Sequence, residues 1–392
     1  MPANYDLIIV GGGCAGLSLA MRLSEQNLNC PKVLIIERRD HYVNDRTWCF
    51  WCTEDSYLKH LPSHHWETIK IKSAQESSYI NCKDTPYLMI EAKVFYEHAL
   101  QKIAKNNRIT IVFNESVVTV PTKTNELWHF VGNDEIYTAK TIVDTRPVKI
   151  PQHGDAILWQ SFYGYEIECA NAVFDRNIAT LMDFDDYDKT CVCFNYILPT
   201  STKKALIEIT IFAVHPIPYE NLKVKLEKVI SRYTANQAYK TIRTEHGILP
   251  MGNKPQTNSH DKSYIYAGLF AGAARPSTGY AFQRIQRWAD YCAKAIYQTQ
   301  YPISHQPDSI SQTAMDSLFL KLVRARPNLA PTIFIKLFSQ CDTPKLIRFL
   351  SDKAKLFDYI AVMLALPPAP FLKQLLIGFF EKTIGHATKK TD

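Results

Sequence analysis

The sequence predicts an α/β fold: a Rossmann-like nucleotide-binding domain, a mostly antiparallel β domain, and a helical C-terminal region. Three observations carry this expectation. The cluster Gly11-Gly12-Gly13-Cys14-Ala15-Gly16 directly follows the apolar run Leu7-Ile8-Ile9-Val10. Alternating, aromatic-rich segments fill the middle of the chain, and helical periodicity dominates from about Pro307 onward. With 392 residues, 46% hydrophobic and 21% charged, the composition is that of a globular protein too long for one compact core.

The elements follow in order. Strand Asp6–Val10, helix Leu17–Gln26 and strand Val33–Glu37 form a β-α-β unit with parallel strands. A helix around Val94–Lys105 leads into strand Ile109–Phe113, and Thr141–Asp144 extends the same sheet. Strands Gln160–Glu168, Cys191–Leu198 and Ala205–Phe212 alternate and read as antiparallel. Helix Val224–Ala235 follows, then a short strand Tyr264–Ala267 that returns the chain to the first domain. The apolar positions Leu318, Leu322, Ile333, Leu337, Leu346, Phe349 and Ile360 mark the terminal helices. The expected division is 1–75, 93–150 and 240–305 for the nucleotide domain, 76–92 and 151–239 for the antiparallel domain, and 306–392 for the helical region.

Charge and composition exclude several classes. A formal charge of +7, spread over scattered Lys and Arg, argues against nucleic acid as a partner and is compatible with an anionic membrane surface. The first strand leaves no space for a signal sequence before the glycines, so the expected location is cytoplasmic. No apolar run spans a bilayer; the stretch Tyr359–Phe380 is interrupted by Pro367, Pro368, Pro370 and Lys373. The ten cysteines are expected free. Cys49 and Cys52 have the spacing of a metal or redox pair, but Cys191 and Cys193 do not complete a zinc ribbon, and no metal is expected.

Each glycine of the motif has a physical task. Gly11 permits a tight turn, Gly13 lets a pyrophosphate approach backbone N–H groups, and Gly16 lets helix pack against strand. Glu37, ending the second strand, is placed to accept hydrogen bonds from adenosine ribose hydroxyls. FAD and NAD share this fingerprint. A second glycine-rich turn, with Gly268, Gly272 and Gly279 before a helix from about Gln283, favours FAD, because its N–H groups can face a flavin ring. Leu269 follows Gly268 where many flavoproteins carry an Asp for the ribityl chain.

At Asn44-Asp45-Arg46-Thr47-Trp48-Cys49-Phe50-Trp51 the chain resembles the lycopene cyclases of the bacterial and plant flavoprotein type. The likeness continues in Phe162-Tyr163-Gly164-Tyr165-Glu166, Leu181-Met182-Asp183-Phe184, Ala205–Thr210 and Arg275–Tyr280, and covers essentially the whole chain. The resemblance implies closure of the acyclic ψ-end of lycopene, or of a related acyclic carotenoid, into a β-ionone ring. It implies reduced FAD without net electron transfer, with NAD(P)H as electron source. The initiating acid is then Glu208, which matches the first acidic residue of the family's Phe-Leu-Glu-Glu-Thr motif, while Ile209 stands at the second. Such an acid needs an apolar site that keeps its proton available.

Arg46, paired with Asp45, is expected at the FAD entrance. Trp48 and Trp51 either line the polyene pocket or pack in the core. Glu166 and Asp183 are either secondary acids or members of salt bridges. A carotenoid substrate resides in membrane, and the apolar stretch Ile360–Leu366 with Phe371, Leu375, Leu376 and Phe379, flanked by Lys353, Lys355, Lys373 and Lys390, either lies in the interface or caps the core. The expected location is therefore the inner face of the cell membrane, held peripherally. The alternative class is an FAD-dependent monooxygenase or isoprenoid reductase consuming NAD(P)H; a third is a non-catalytic carotenoid- or flavin-binding protein. One or both ends, β or ε ring, electron donor and oligomeric state stay open.

Overall fold

The structure is a computed structural model, and it describes residues 3–26, 29–52, 57–133, 135–147, 156–185, 188–252 and 261–388, with side chains between 5 and 378. The first sheet runs in the order Ile109–Val112, Val33–Ile36, Ala3–Val10, Ile136–Asp144, Leu127–Val131 and Thr122–Thr124, with Tyr264–Tyr266 also on Ile136–Asp144. The pairings among Ile109–Val112, Val33–Ile36, Ala3–Val10, Ile136–Asp144 and Tyr264–Tyr266 are parallel. Such strands are buried on both faces, which is why Leu7, Ile8, Ile9 and Val10 are continuously apolar rather than alternating. The helices Cys14–Ser24 and Phe282–Thr299 pack on one face, through Leu17, Leu19, Met21, Ile285 and Trp288.

The second sheet runs Tyr239–Met251, Leu158–Cys169, Lys204–Ala213, Val192–Pro199, Ile178–Asp183, Thr68–Lys72 and Ser77–Asn81. It is antiparallel except between Ile178–Asp183 and Thr68–Lys72. Its alternation has two destinations. Ile207, Ile209 and Ile211 face the helix Tyr219–Tyr233, whereas Leu206 and Phe212 face a core built with Trp66, Met89 and the C-terminal helices. A three-stranded sheet, Thr47–Trp51, Tyr87–Glu91 and His64–Trp66, lies between the two large ones. Its first strand alternates accordingly: Phe50 joins the nucleotide-domain core and Trp51 the antiparallel-domain core.

Two segments lie elsewhere than expected. Residues 68–72 belong to the antiparallel sheet, not to the nucleotide domain. So do residues 239–251, where the nucleotide domain was expected to resume at 240. That segment, Tyr-Lys-Thr-Ile-Arg-Thr-Glu-His-Gly-Ile-Leu-Pro-Met, lacks apolar alternation because it is an edge strand whose inward positions Arg243 and Glu245 are polar. Pro250 is tolerated at such an edge.

The helices Ile310–Ala325, Ala330–Gln340, Thr343–Leu350, Leu356–Ala365 and Pro368–Thr388 close the molecule. Leu320, Leu322, Ile333, Ile335, Leu346 and Val362 bury against the antiparallel sheet. Buried charges tie this region to the glycine-rich turn: Arg275 donates to Asp316 at 3.3 Å and to the Phe349 carbonyl at 2.6 Å.

Candidate active site

At the first strand's C-terminal end Gly11 turns the chain with φ +100°. A Cβ on Gly16 would sit 2.1 Å from the Gly11 carbonyl oxygen, so only glycine lets the helix start so close to the strand. A Cβ on Gly13 would meet nothing within 4 Å, which leaves an open cradle before an N-terminus that no side chain caps. Unpaired helical N–H groups facing open space favour an anion. Glu37 is buried beside them and accepts from the Gly12 N–H at 2.8 Å and from Arg39 at 3.0 Å. Arg39 holds its carboxyl below the usual carboxylate range despite burial. The charge of Arg46 reaches Cys14 at the helix start, while its guanidinium pairs with Asp45 at 2.8 Å.

The second glycine turn bridges this cradle and the antiparallel sheet. Gly268 packs against Ala15 and Thr145 of the nucleotide domain, and its N–H donates to His305 Nε2 at 2.9 Å. Gly272 ends a short 3-10 turn at φ +100°. Gly279, at φ +71°, lies against Gln160 and Leu249 of the antiparallel sheet. The turn continues into Tyr280, whose hydroxyl is 3.1 Å from that of Tyr87, which is 2.9 Å from that of Tyr196.

Tyr196 leads to the acid. In the register of the antiparallel sheet Glu208 pairs with Tyr196 on one side and Gly164 on the other, and Gly164 pairs in turn with Glu245. Cross-strand partners share a face, so Glu245, Gly164, Glu208 and Tyr196 form one row on the face that carries Leu206 and Phe212. Glu208 is buried and accepts from the Thr210 hydroxyl at 2.8 Å. Its carboxyl is pushed up to about 8, first by burial and then by the negative charge of Glu245. A proton is thus held at neutral pH by a group that can still release it.

In the adjacent row, Arg243 donates to Glu166 at 2.6 Å, to Glu245 at 2.6 Å and to the Thr47 hydroxyl at 2.6 Å. Thr47 donates to Glu245 at 2.9 Å. The octapeptide therefore reaches the site through Thr47 and Cys49, the latter hydrogen-bonded to Tyr196 and pushed up to about 12 by burial.

The remaining expected residues divide. Glu166 faces this row, but as a partner of Arg243. Trp51 is buried against Tyr87, ring centroids 4.8 Å apart, with its Nε1 unpaired. Trp48 is a correction to the pocket reading: alternation turns it into the nucleotide-domain core, stacked on Phe282 at 5.3 Å and edge-on to Phe95 at 5.0 Å. Asp183 is another. It points to the opposite face of the sheet, bonded to the Tyr233 hydroxyl and paired with Lys72 at 3.3 Å and Arg232 at 3.6 Å. Ile209 likewise faces the Tyr219–Tyr233 helix, so a second acid at its position would not meet Glu208. Sequence reasoning missed Arg243 and Glu245; the signal was a pair of opposite charges two apart, which puts both on one face of a strand.

The family model described as lycopene cyclase protein matches residues 6–376. The chain is 23% identical to the lycopene beta-cyclase of Pantoea ananas, covering 96% of this chain and 98% of that one. It is 23% identical to the lycopene beta cyclase of Synechococcus elongatus over 74% of this chain and 72% of the other. Among solved structures, a geranylgeranyl bacteriochlorophyll reductase-like protein from Thermoplasma acidophilum has a TM-score of 0.61 at 15% identity, covering 95% of this chain and 99% of that one. The p-nitrophenol 4-monooxygenase PnpA of Pseudomonas putida reaches 0.61 at 13% identity, with coverage of 95% and 99%. The structural likenesses give the fold, and the match over nearly the whole sequence makes this chain a member of the lycopene cyclase family.

Proposed function

We propose that this protein closes the acyclic ψ-end of lycopene, or of a related acyclic carotenoid, into a β-ionone ring, with Glu208 as the proton donor. The observation that carries the reading is the buried Glu208 carboxyl on the sheet face that meets the second glycine turn, where burial and then the charge of Glu245 push it up to about 8. Protonating a terminal alkene requires an acid in a dry site, and attack by the neighbouring double bond followed by proton loss completes the ring without exchange of electrons. Tyr196 pairs with Glu208 across the strands, the charge of Glu208 reaches Tyr280, and Tyr87 bonds to both tyrosines; burial pushes all three hydroxyls upward, so they add no competing charge near neutrality.

FAD fits the residues present. The open cradle at Gly13, the uncapped helix and the buried Glu37 suit its pyrophosphate and ribose, and the Gly268–Gly279 turn lies between that cradle and Glu208. Reduced FAD supplies negative charge that favours a carbocation nearby. Gly16→Ala is expected to abolish flavin retention, because the added methyl meets the Gly11 carbonyl; flavin absorbance per purified chain measures it.

NAD(P)H is proposed as the source that reduces the flavin once, not once per ring. With chemically reduced flavin, lycopene in liposomes and no nicotinamide, many rings per flavin are expected. Consumption of one reductant per product would instead favour the monooxygenase or reductase alternative.

We also propose peripheral docking on the cytoplasmic face of an anionic membrane. The helices Leu356–Ala365 and Pro368–Gly378 are bent by 105° and expose Phe357 at 75% and Leu364 at 79%, with Leu372 and Leu376 also exposed. No single described helix is long and apolar enough to cross a membrane. Lys353, Lys355 and Lys373 border this surface in the sequence, and the net charge of +7 suits anionic lipid. The side chain of Phe379 and residue Lys390 lie outside the described residues. Phe357→Glu with Leu364→Glu is expected to reduce co-sedimentation with anionic vesicles at least several-fold, with the circular dichroism spectrum unchanged.

A further inference from the structure

We propose that Glu245 is a positioning residue for Glu208: the two stand in one cross-strand row on either side of Gly164, and the charge of Glu245 keeps the proton on Glu208. The purpose of the pair rests on the cyclase reading above, but its existence rests on the sheet.

The first argument is steric. Facing Cβ atoms across a strand pair ordinarily lie about 4.5–5.5 Å apart. A Cβ on Gly164 would lie 3.2 Å from Glu208 Cβ and 3.4 Å from its Cγ, so Glu208 already occupies the space above the glycine. Glu245 is the next residue in that row, with no side chain between them.

The second argument is a count of charge. Arg243 serves both Glu166 and Glu245, each at 2.6 Å, so one guanidinium already faces two carboxylates. The three side chains are 10%, 15% and 6% exposed, and solvent offers little compensation. Ionised Glu208 would be a third anion beside a single cation, and a proton on it is the cheaper state. The clamp decides which carboxyl carries that proton. Glu245 receives Arg243 and Thr47, both donors to Oε2, whereas Glu208 receives a neutral hydroxyl from Thr210.

The other groups facing Glu208 do not compete for this proton. Cys49 and Tyr280 are pushed up to about 12 by burial, and burial also raises Tyr196 and Tyr87, the latter bonded to both Tyr196 and Tyr280.

The pair accounts for turnover as well as initiation. The Glu208 O–H bond breaks as the alkene's electron pair forms a C–H bond, leaving two anions beside a carbocation. After ring closure a C–H electron pair becomes the ring double bond, and its proton returns to the doubly charged pair. One proton leaves and one returns, so no oxidant, reductant or external base is consumed.

The test is Glu245→Gln in the flavin-loaded protein, read by infrared titration of the carboxylic acid band that disappears in Glu208→Gln. A neighbouring anion disfavours ionisation, so its removal must lower the midpoint. The band is expected to titrate near pH 8 in the wild type. In Glu245→Gln it is expected at least about one unit lower, with the alkaline limb of kcat displaced equally. Glu245→Asp, which keeps the charge, should restore the wild-type midpoint. A midpoint in Glu245→Gln equal to or above that of the wild type overturns the pair, whether or not the protein cyclises lycopene. A lowered midpoint in Glu245→Gln together with a wild-type protein that makes no ring overturns the cyclase reading and leaves the pair standing.

Discussion

Glu208→Gln is expected to lower the cyclisation rate by about 10²–10⁴-fold, the range for loss of a general acid, while flavin content stays that of the wild type. The glutamine retains the shape of the carboxyl and an acceptor for Thr210, so the fold is preserved and the transferable proton is lost. The same substitution has a stability signature. Because the folded-state value of Glu208 is raised, its contribution is fully present below the ordinary carboxylate range and is lost as pH rises through about 8. The wild type should therefore lose stability over that interval relative to Glu208→Gln, and the variant should be the more stable protein under mildly alkaline conditions. Denaturant midpoints of both proteins between pH 5 and 9 measure the difference. Wild-type activity in the variant would move the acid elsewhere.

Arg243→Ala is expected to destabilise the protein by about 3–5 kcal/mol, the cost of leaving buried carboxylates without their cation. The guanidinium makes three hydrogen bonds, to Glu166, Glu245 and Thr47, and joins the edge strand to the three-stranded sheet that carries the Asn44–Trp51 motif. Removing it exposes Glu166 and Glu245 to mutual repulsion in a site that solvent barely reaches. Urea denaturation at neutral pH reads the loss. A change below about 1 kcal/mol would mean that the cluster is solvated and the charge argument fails.

How much of this was legible in the sequence follows from what each residue does. Gly11, Gly13, Gly16 and Glu37 could be assigned tasks because close approach and ribose recognition act over a short local stretch. Glu208 is legible only through the likeness of Ala205–Thr210 to the family's Phe-Leu-Glu-Glu-Thr motif, because a lone Glu on a strand is by itself more often solvated or paired. Glu245 was not, since its meaning arises from pairing with Gly164, which is 81 residues away in sequence but adjacent in the sheet. Trp48 and Trp51 look equivalent in the motif, yet period-two alternation sends them into different cores. Asp183 lies in a segment resembling the family but on the wrong face: the register between Ile178–Asp183 and Val192–Pro199 shifts between Thr180 and Asp183, a change that simple alternation does not reveal.

The central claim is that this fold uses a buried acid and a reduced flavin's charge, not its electrons, to make a ring. Expression in a bacterial host that accumulates lycopene, followed by chromatography and mass measurement of the pigments, tests it most directly. Cyclised carotenoids with the mass of lycopene are expected with the wild type, and unchanged lycopene with Glu208→Gln. Persistent lycopene beside abundant, flavin-loaded wild-type protein would contradict the account.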